Sequence, residues 1–362
     1  MASERDDGIL LPMVQDALMR LVEKGVDPAK VEEIASEVVV KTIPELARVL
    51  ATALHRSKAS LIKGLAEDRA ALMQEIEHLW GPAFATYEAI AYGAYELGRD
   101  LHDLRHRRSE TPKLPDPTKE YQSEPVDIMS LLHGRACTVA LEVLTLLRAG
   151  LAEGAAARQR TLHELAVVIN LLTEHQDLDL ASRYADYAIV EQYEDMEHYQ
   201  AHAATLGQVP FSQAEMDALR AQYQEVLQRR GERFKYPHQW AAPLFPGEKK
   251  ITFPMLEAKV KMEHLRPYYR YANHFVHAGP RAATLNLRLS HRGWAIGAGA
   301  RADADIAEVG HAALVSLLQC TTPFVISAKE TEPSLDHLVQ LKALFEMLNH
   351  AGIAFQRGAR RL

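Results

Sequence analysis

Two strongly apolar segments of helical period, joined by a short turn, constrain the fold of this chain more than any other feature. Asp127 to Gly150 reads DIMSLLHGRACTVALEVLTLLRAG, Gly154 to His175 reads GAAARQRTLHELAVVINLLTEH, and the turn GLAEG spans Gly150 and Gly154. Apolar side chains recurring three and four positions apart mark the buried face of a helix. So short a link makes the two helices antiparallel neighbours. A chain of 362 residues with 48% hydrophobic content can bury a sizeable core, as one large domain or two ordinary ones. The expected class is all-α: an antiparallel helical bundle with an N-terminal helical domain and C-terminal helices.

The remaining segments extend this pattern. Residues 1–108 carry LLPMVQDALMRLV, VEEIASEVVVKTIPELARVLATAL, LIKGLAEDRAALMQEIEHLW and FATYEAIAYGAYELG, which read as four or five helices. Asp27-Pro28 looks like an N-cap followed by a first-turn proline, and Gly81-Pro82 reads as a break between helices. Arg105 to Glu124 has three prolines and many charges, so a linker is placed at 109–125. Residues 126–282 then form a helical core and 283–362 a C-terminal helical extension. Within these, TLNLRLSHRGWAIGAG suggests a short extended excursion. The tyrosines at 184, 187, 193 and 199 suit packing better than base stacking.

Charge narrows the partners. Against 48 Asp+Glu, 41 Lys+Arg leave a net charge of -7, so any RNA contact must be focal. The distant Cys137 and Cys320 lie in apolar sequence and read as buried thiols in a reducing compartment. MASERDDG lacks the basic start of a signal peptide, and the longest apolar run, Ala136 to Leu147, contains Glu142. The expectation is a cytoplasmic protein without a membrane span. Walker, Rossmann and GxSxG patterns are missing, so no cofactor is expected.

The chemistry-bearing stretch is HLRPYYRYANHFVHAG, His264 to Gly279. On an ideal helix, Arg266, Arg270, Asn273, His274 and His277 fall within roughly 100°. Guanidinium forks suit phosphate oxygens, and imidazoles exchange protons near neutral pH, which together suit phosphodiester chemistry without a metal. A second cluster, Arg160, His163 and Glu164, lies on a helix apolar enough to be buried. Buried charges are normally paired. It reads either as a structural ion pair or, through Glu164, as a support that fixes a histidine tautomer. A metal site from His274, His277, His163 and Glu164 is the weaker option, because no HExxH pattern backs it.

With RYANHFVH late in an antiparallel helical core, the chain resembles the HEPN superfamily of nucleotide-binding domains. Such domains carry an arginine followed four to six residues later by a histidine, and Arg270 and His277 fit the long end of that spacing. RTLHE (Arg160 to Glu164), Trp240-Ala241 and YRYANHFVHAGP (Tyr269 to Pro280) resemble one bacterial HEPN-like family with a helical N-terminal extension. The resemblance implies a metal-independent endoribonuclease of a bacterial defence or toxin system, working as a homodimer. His277 would transfer the proton, Arg270 would clamp phosphate, and Asn273 would fill the roughly 10 Å of helix between them. Arg160, His163, Glu164, His274 and Tyr269 would support them, His274 being the rival histidine. The same superfamily also implies the alternative, a non-catalytic module binding a nucleotide, RNA or a protein partner.

Overall fold

A computed structural model describes residues 10–108, 125–277, 279–281, 288–290, 293–295, 303–327 and 334–361. The chain divides into two compact units, 1–71 and 72–362. The first holds α1 (Leu10–Glu23) and the start of α2 (Pro28–Arg108). Gly25 turns the chain between them at φ 76°, and the Asp27 carboxylate accepts from the Ala29 N–H at 3.0 Å, a cap with proline at the first helical position. No described residue up to Ala71 is buried.

The second unit begins inside α2, and of the linker placed at 109–125, residues 109–124 lie outside the described ones. α2 corrects the reading of four or five N-terminal helices, because it continues through Gly81 and Pro82. An interior proline removes one hydrogen bond and costs about 3 kcal/mol. Trp80, Ala83, Phe84 and Tyr87, buried on either side, outweigh that local penalty.

α3 (Pro125–Arg148) and α4 (Ala152–Glu174) form the expected hairpin. Gly150 makes the turn at φ 74°, and an added Cβ would also come within 2.9 Å of Ile76. The Tyr87 hydroxyl donates to the Ala140 carbonyl at 2.9 Å, and with Ile76 beside Gly150 and Gly98 beside His133 the end of α2 runs antiparallel to α3.

α5 (Leu180–His202) and α6 (Gln213–Arg230) make a second, more polar hairpin. The Ser212–Glu215 capping box starts α6, and Arg230 joins Asp186 and Asp179 across the pair. Short turns then lead to α7 (Phe253–Lys259) and α8 (Arg266–Val276). The extended excursion is an antiparallel ribbon of β1 (Arg288–Ser290) on β2 (Gly293–Ala295), the only strands among the described residues.

α9 (Asp303–Ile326) and α10 (Leu335–Ala359) close the core. Asn170 of α4 donates to the Gln319 carbonyl of α9 at 2.9 Å, and Phe355 of α10 meets Trp80 and Phe84 of α2. The C-terminal helices thus belong to the same hydrophobic core as α3 and α4. The all-α class stands. Cys137 and Cys320 are both free and buried. α3 and α9 are long and apolar enough to cross a bilayer, and both contribute heavily to this core.

Candidate functional site

The central helix α4 buries Leu162, Leu165, Ala166 and Ile169 among its neighbours. Its Arg160, His163 and Glu164 are turned toward α7 and α8, where two linked polar groups form. In the first, Arg160 Nη2 donates to the Tyr269 hydroxyl at 2.8 Å, and that hydroxyl donates to Glu164 Oε1 at 2.7 Å. Arg160 also pairs with Glu164 directly at 2.9 Å, and its guanidinium lies 4.8 Å from the Tyr269 ring centre. Burial raises the Tyr269 hydroxyl above the usual range, helped by its bond to Glu164, so it stays protonated and donating.

The second group centres on Glu257 of α7, which has no exposed surface. One carboxylate oxygen meets His163 Nε2 at 2.9 Å and the other takes the Arg266 guanidinium. Burial pushes His163 down to about 4, and the neighbouring Arg266 works in the same direction. The ring is therefore neutral near pH 7. A neutral imidazole bonded to a carboxylate must carry its proton on the bonded nitrogen, so Nε2–H donates to Glu257 and Nδ1 is left as an acceptor. Phe253 stacks on Tyr269 with ring centres 5.0 Å apart, joining α7 to α8 and the two groups to each other.

This arrangement brings together five of the residues singled out in the sequence: Arg160, His163, Glu164, Arg266 and Tyr269. The others lie elsewhere on α8. Arg270 is exposed, and Asn273 and His274 are half-buried. α8 stops at Val276, and His277 is the exposed C-cap residue in extended backbone, φ -111° and ψ 137°. The single helical face running from Arg266 to His277 is thus corrected: Arg266 turns inward to Glu257, and His277 leaves the helix. Among the described residues, no hydrogen bond or ion pair engages the side chain of Arg270 or His277, and the buried Asn273 Oδ1 lacks a partner. No cluster of three or more His, Cys, Asp or Glu suited to a metal occurs among the described residues.

His163 and Tyr269 also form one wall of a cavity of about 670 Å³ between α4, α8, α9 and α10. The sequence reading missed Glu257, Arg266's role toward it, and His311 in this cavity. An acid or a histidine within otherwise apolar helical sequence, as in FPMLEAK and EVGHAALV, is the signal that points to both.

Residues 126–293 match a family of unknown function (DUF5677). That segment contains both polar groups, Arg270 and His277, and ends short of α9 and α10. No curated protein and no solved structure matches the chain.

Proposed function

We propose that the chain is a metal-independent endoribonuclease of HEPN type that acts as a homodimer. The observation that carries this reading is the state of Arg270 and His277: both are exposed and unengaged among the described residues, one on and one just past the end of a helix held by Tyr269 and Arg266. In this reading His277 takes the proton of the ribose 2′-hydroxyl as its oxygen bonds to phosphorus, the P–O5′ bond breaks and the departing 5′-oxygen takes a proton from water, and Arg270 neutralises charge building on the phosphoryl oxygens. Asn273 supplies an amide between them, with His274 beside it. Arg160, Glu164 and Tyr269 position α8 and do not touch RNA. Self-association is supported by the apolar side chains that the first unit leaves exposed, among them Val40, Ile43, Val49, Leu50 and Leu54. A bacterial defence or toxin role follows from the same resemblance.

A second reading, a non-catalytic module for a nucleotide, RNA or protein partner, is favoured by the mutually bonded Arg160–Glu164–Tyr269 group, which has the form of a structural tie. Cleavage of mixed RNA in EDTA separates the two. The nuclease reading expects wild-type cleavage that drops about 100-fold or more in Arg270→Ala and in His277→Ala, with circular dichroism unchanged. Wild-type protein that leaves RNA intact, or folded variants that still cut it, would transfer the assignment to the binding module.

A further inference from the structure

The cavity between α4, α8, α9 and α10 is chemically unlike the outer face of α8. Its volume, about 670 Å³, lies within the range of small-molecule sites, roughly 300–1,000 Å³. Among its described lining residues Glu308 is the only one with a charged side chain at neutral pH, and it is exposed. Lysine and arginine do not occur in the lining. The two imidazoles add no positive charge: burial depresses both His163 and His311. A phosphate would enter with a carboxylate nearby and no cation to receive it.

The polar groups inside include several acceptors, beside amides at Asn349 and Gln356 that both donate and accept. With its Nε2–H committed to Glu257 at 2.9 Å, His163 can offer only the lone pair of Nδ1 to a guest. The buried Ser316 hydroxyl faces the Gln159 amide at 3.4 Å, leaving the Gln159 carbonyl oxygen and the Glu308 carboxylate as further acceptors. Tyr268 and Phe355 supply aromatic surface.

We propose that this cavity binds an uncharged planar molecule of nucleobase to nucleoside size that carries ring N–H or amino donors and no phosphate. His163 is the internal acceptor, held in one tautomer by Glu257, and Glu308 screens the mouth against anions. The site draws on α9 and α10, beyond the matched family segment, and it is independent of the nuclease reading, because neither Arg270 nor His277 lines it.

The test is titration of the full chain with adenine, adenosine and adenosine 5′-monophosphate, followed by saturation-transfer NMR and calorimetry. Adenine or adenosine should bind with a Kd of about 1 mM or tighter, and the monophosphate about tenfold more weakly or worse. Ala312→Trp, which fills the cavity from α9, should abolish adenosine binding with an unchanged circular dichroism spectrum. Ile353→Trp, at an exposed position on the rim, should do the same if the first variant fails to fold. Binding of the monophosphate as tight as that of adenosine, adenosine binding that survives a folded filling variant, or no binding of either uncharged probe overturns the proposal. Loss of RNA cleavage in Arg270→Ala has no bearing on any of these outcomes.

Discussion

At the scale of single residues, the fold contains two histidines that only its neutral form tolerates. His163 sits at 2% exposure between Glu257 and Phe253, and His133 at 3% between Thr321 and a stacked Phe324. Burial pushes each down to about 4 from an ordinary value of 6.5. Above pH 6.5 both are neutral in folded and unfolded chains alike. As the pH falls below 6.5 the unfolded chain takes up protons that the folded one refuses, so stability declines down to the folded value near 4. Each histidine then removes roughly 2 kcal/mol by pH 5 and about 3 by pH 4. Urea unfolding at pH 7 and pH 5 measures this, and His133→Gln should remove close to half of the difference; a pH-independent midpoint would show both rings to be protonated in the fold. The sequence located Arg160, His163 and Glu164 as a buried polar group because charges on so apolar a helix need partners. It could not supply Glu257, whose bond to His163 spans 94 positions. Such a pairing is decided by how α7 lies on α4, which no local pattern encodes.

At the scale of elements, helices were legible wherever period and punctuation agreed. The α3–α4 hairpin follows from its apolar stripes and Gly150, both local. The continuity of α2 does not, since Gly81-Pro82 is a genuine local stop that is overridden by Trp80, Phe84 and Tyr87 meeting partners far along the chain. The packing of α9 on α10 is similarly non-local and depends on one missing methyl. A Cβ at Gly310 would lie 2.4 Å from the rigid Phe355 ring, which has 1% exposure and is held against Trp80 and Phe84. Although alanine favours an isolated helix by up to about 1 kcal/mol over glycine, the overpacking penalty of about 1–3 kcal/mol should win here. Gly310→Ala is therefore expected to lower stability, read as a lower urea midpoint. Gly64→Ala, with nothing near its added methyl, is the control and should raise or preserve it.

At the scale of the whole molecule, burial is confined to one side of the boundary at Ala71. Every residue of the core lies between Ile76 and Phe355, whereas the described residues before Leu72 bury nothing and leave Val40, Ile43, Val49, Leu50, Leu54 and Ile62 in water. Folding free energy from burial therefore resides in the second unit. Among its described residues the first unit has large exposed apolar side chains and none that is buried, a combination that is stable in water only as isolated helix or against another surface. A chain beginning at Leu72 exposes a fresh helix start, whose first N–H groups water can satisfy at a cost of about 1 kcal/mol, the value of a missing cap. It should thus unfold at nearly the same urea concentration as the full chain. Self-association should disappear with the removed segment, so sedimentation velocity of the two chains reads a change of mass for the full chain alone. A truncated chain that is unfolded would place essential burial before Leu72. One that still self-associates would move the interface onto the second unit, which carries Arg270 and His277, as the proposed dimeric nuclease would then need.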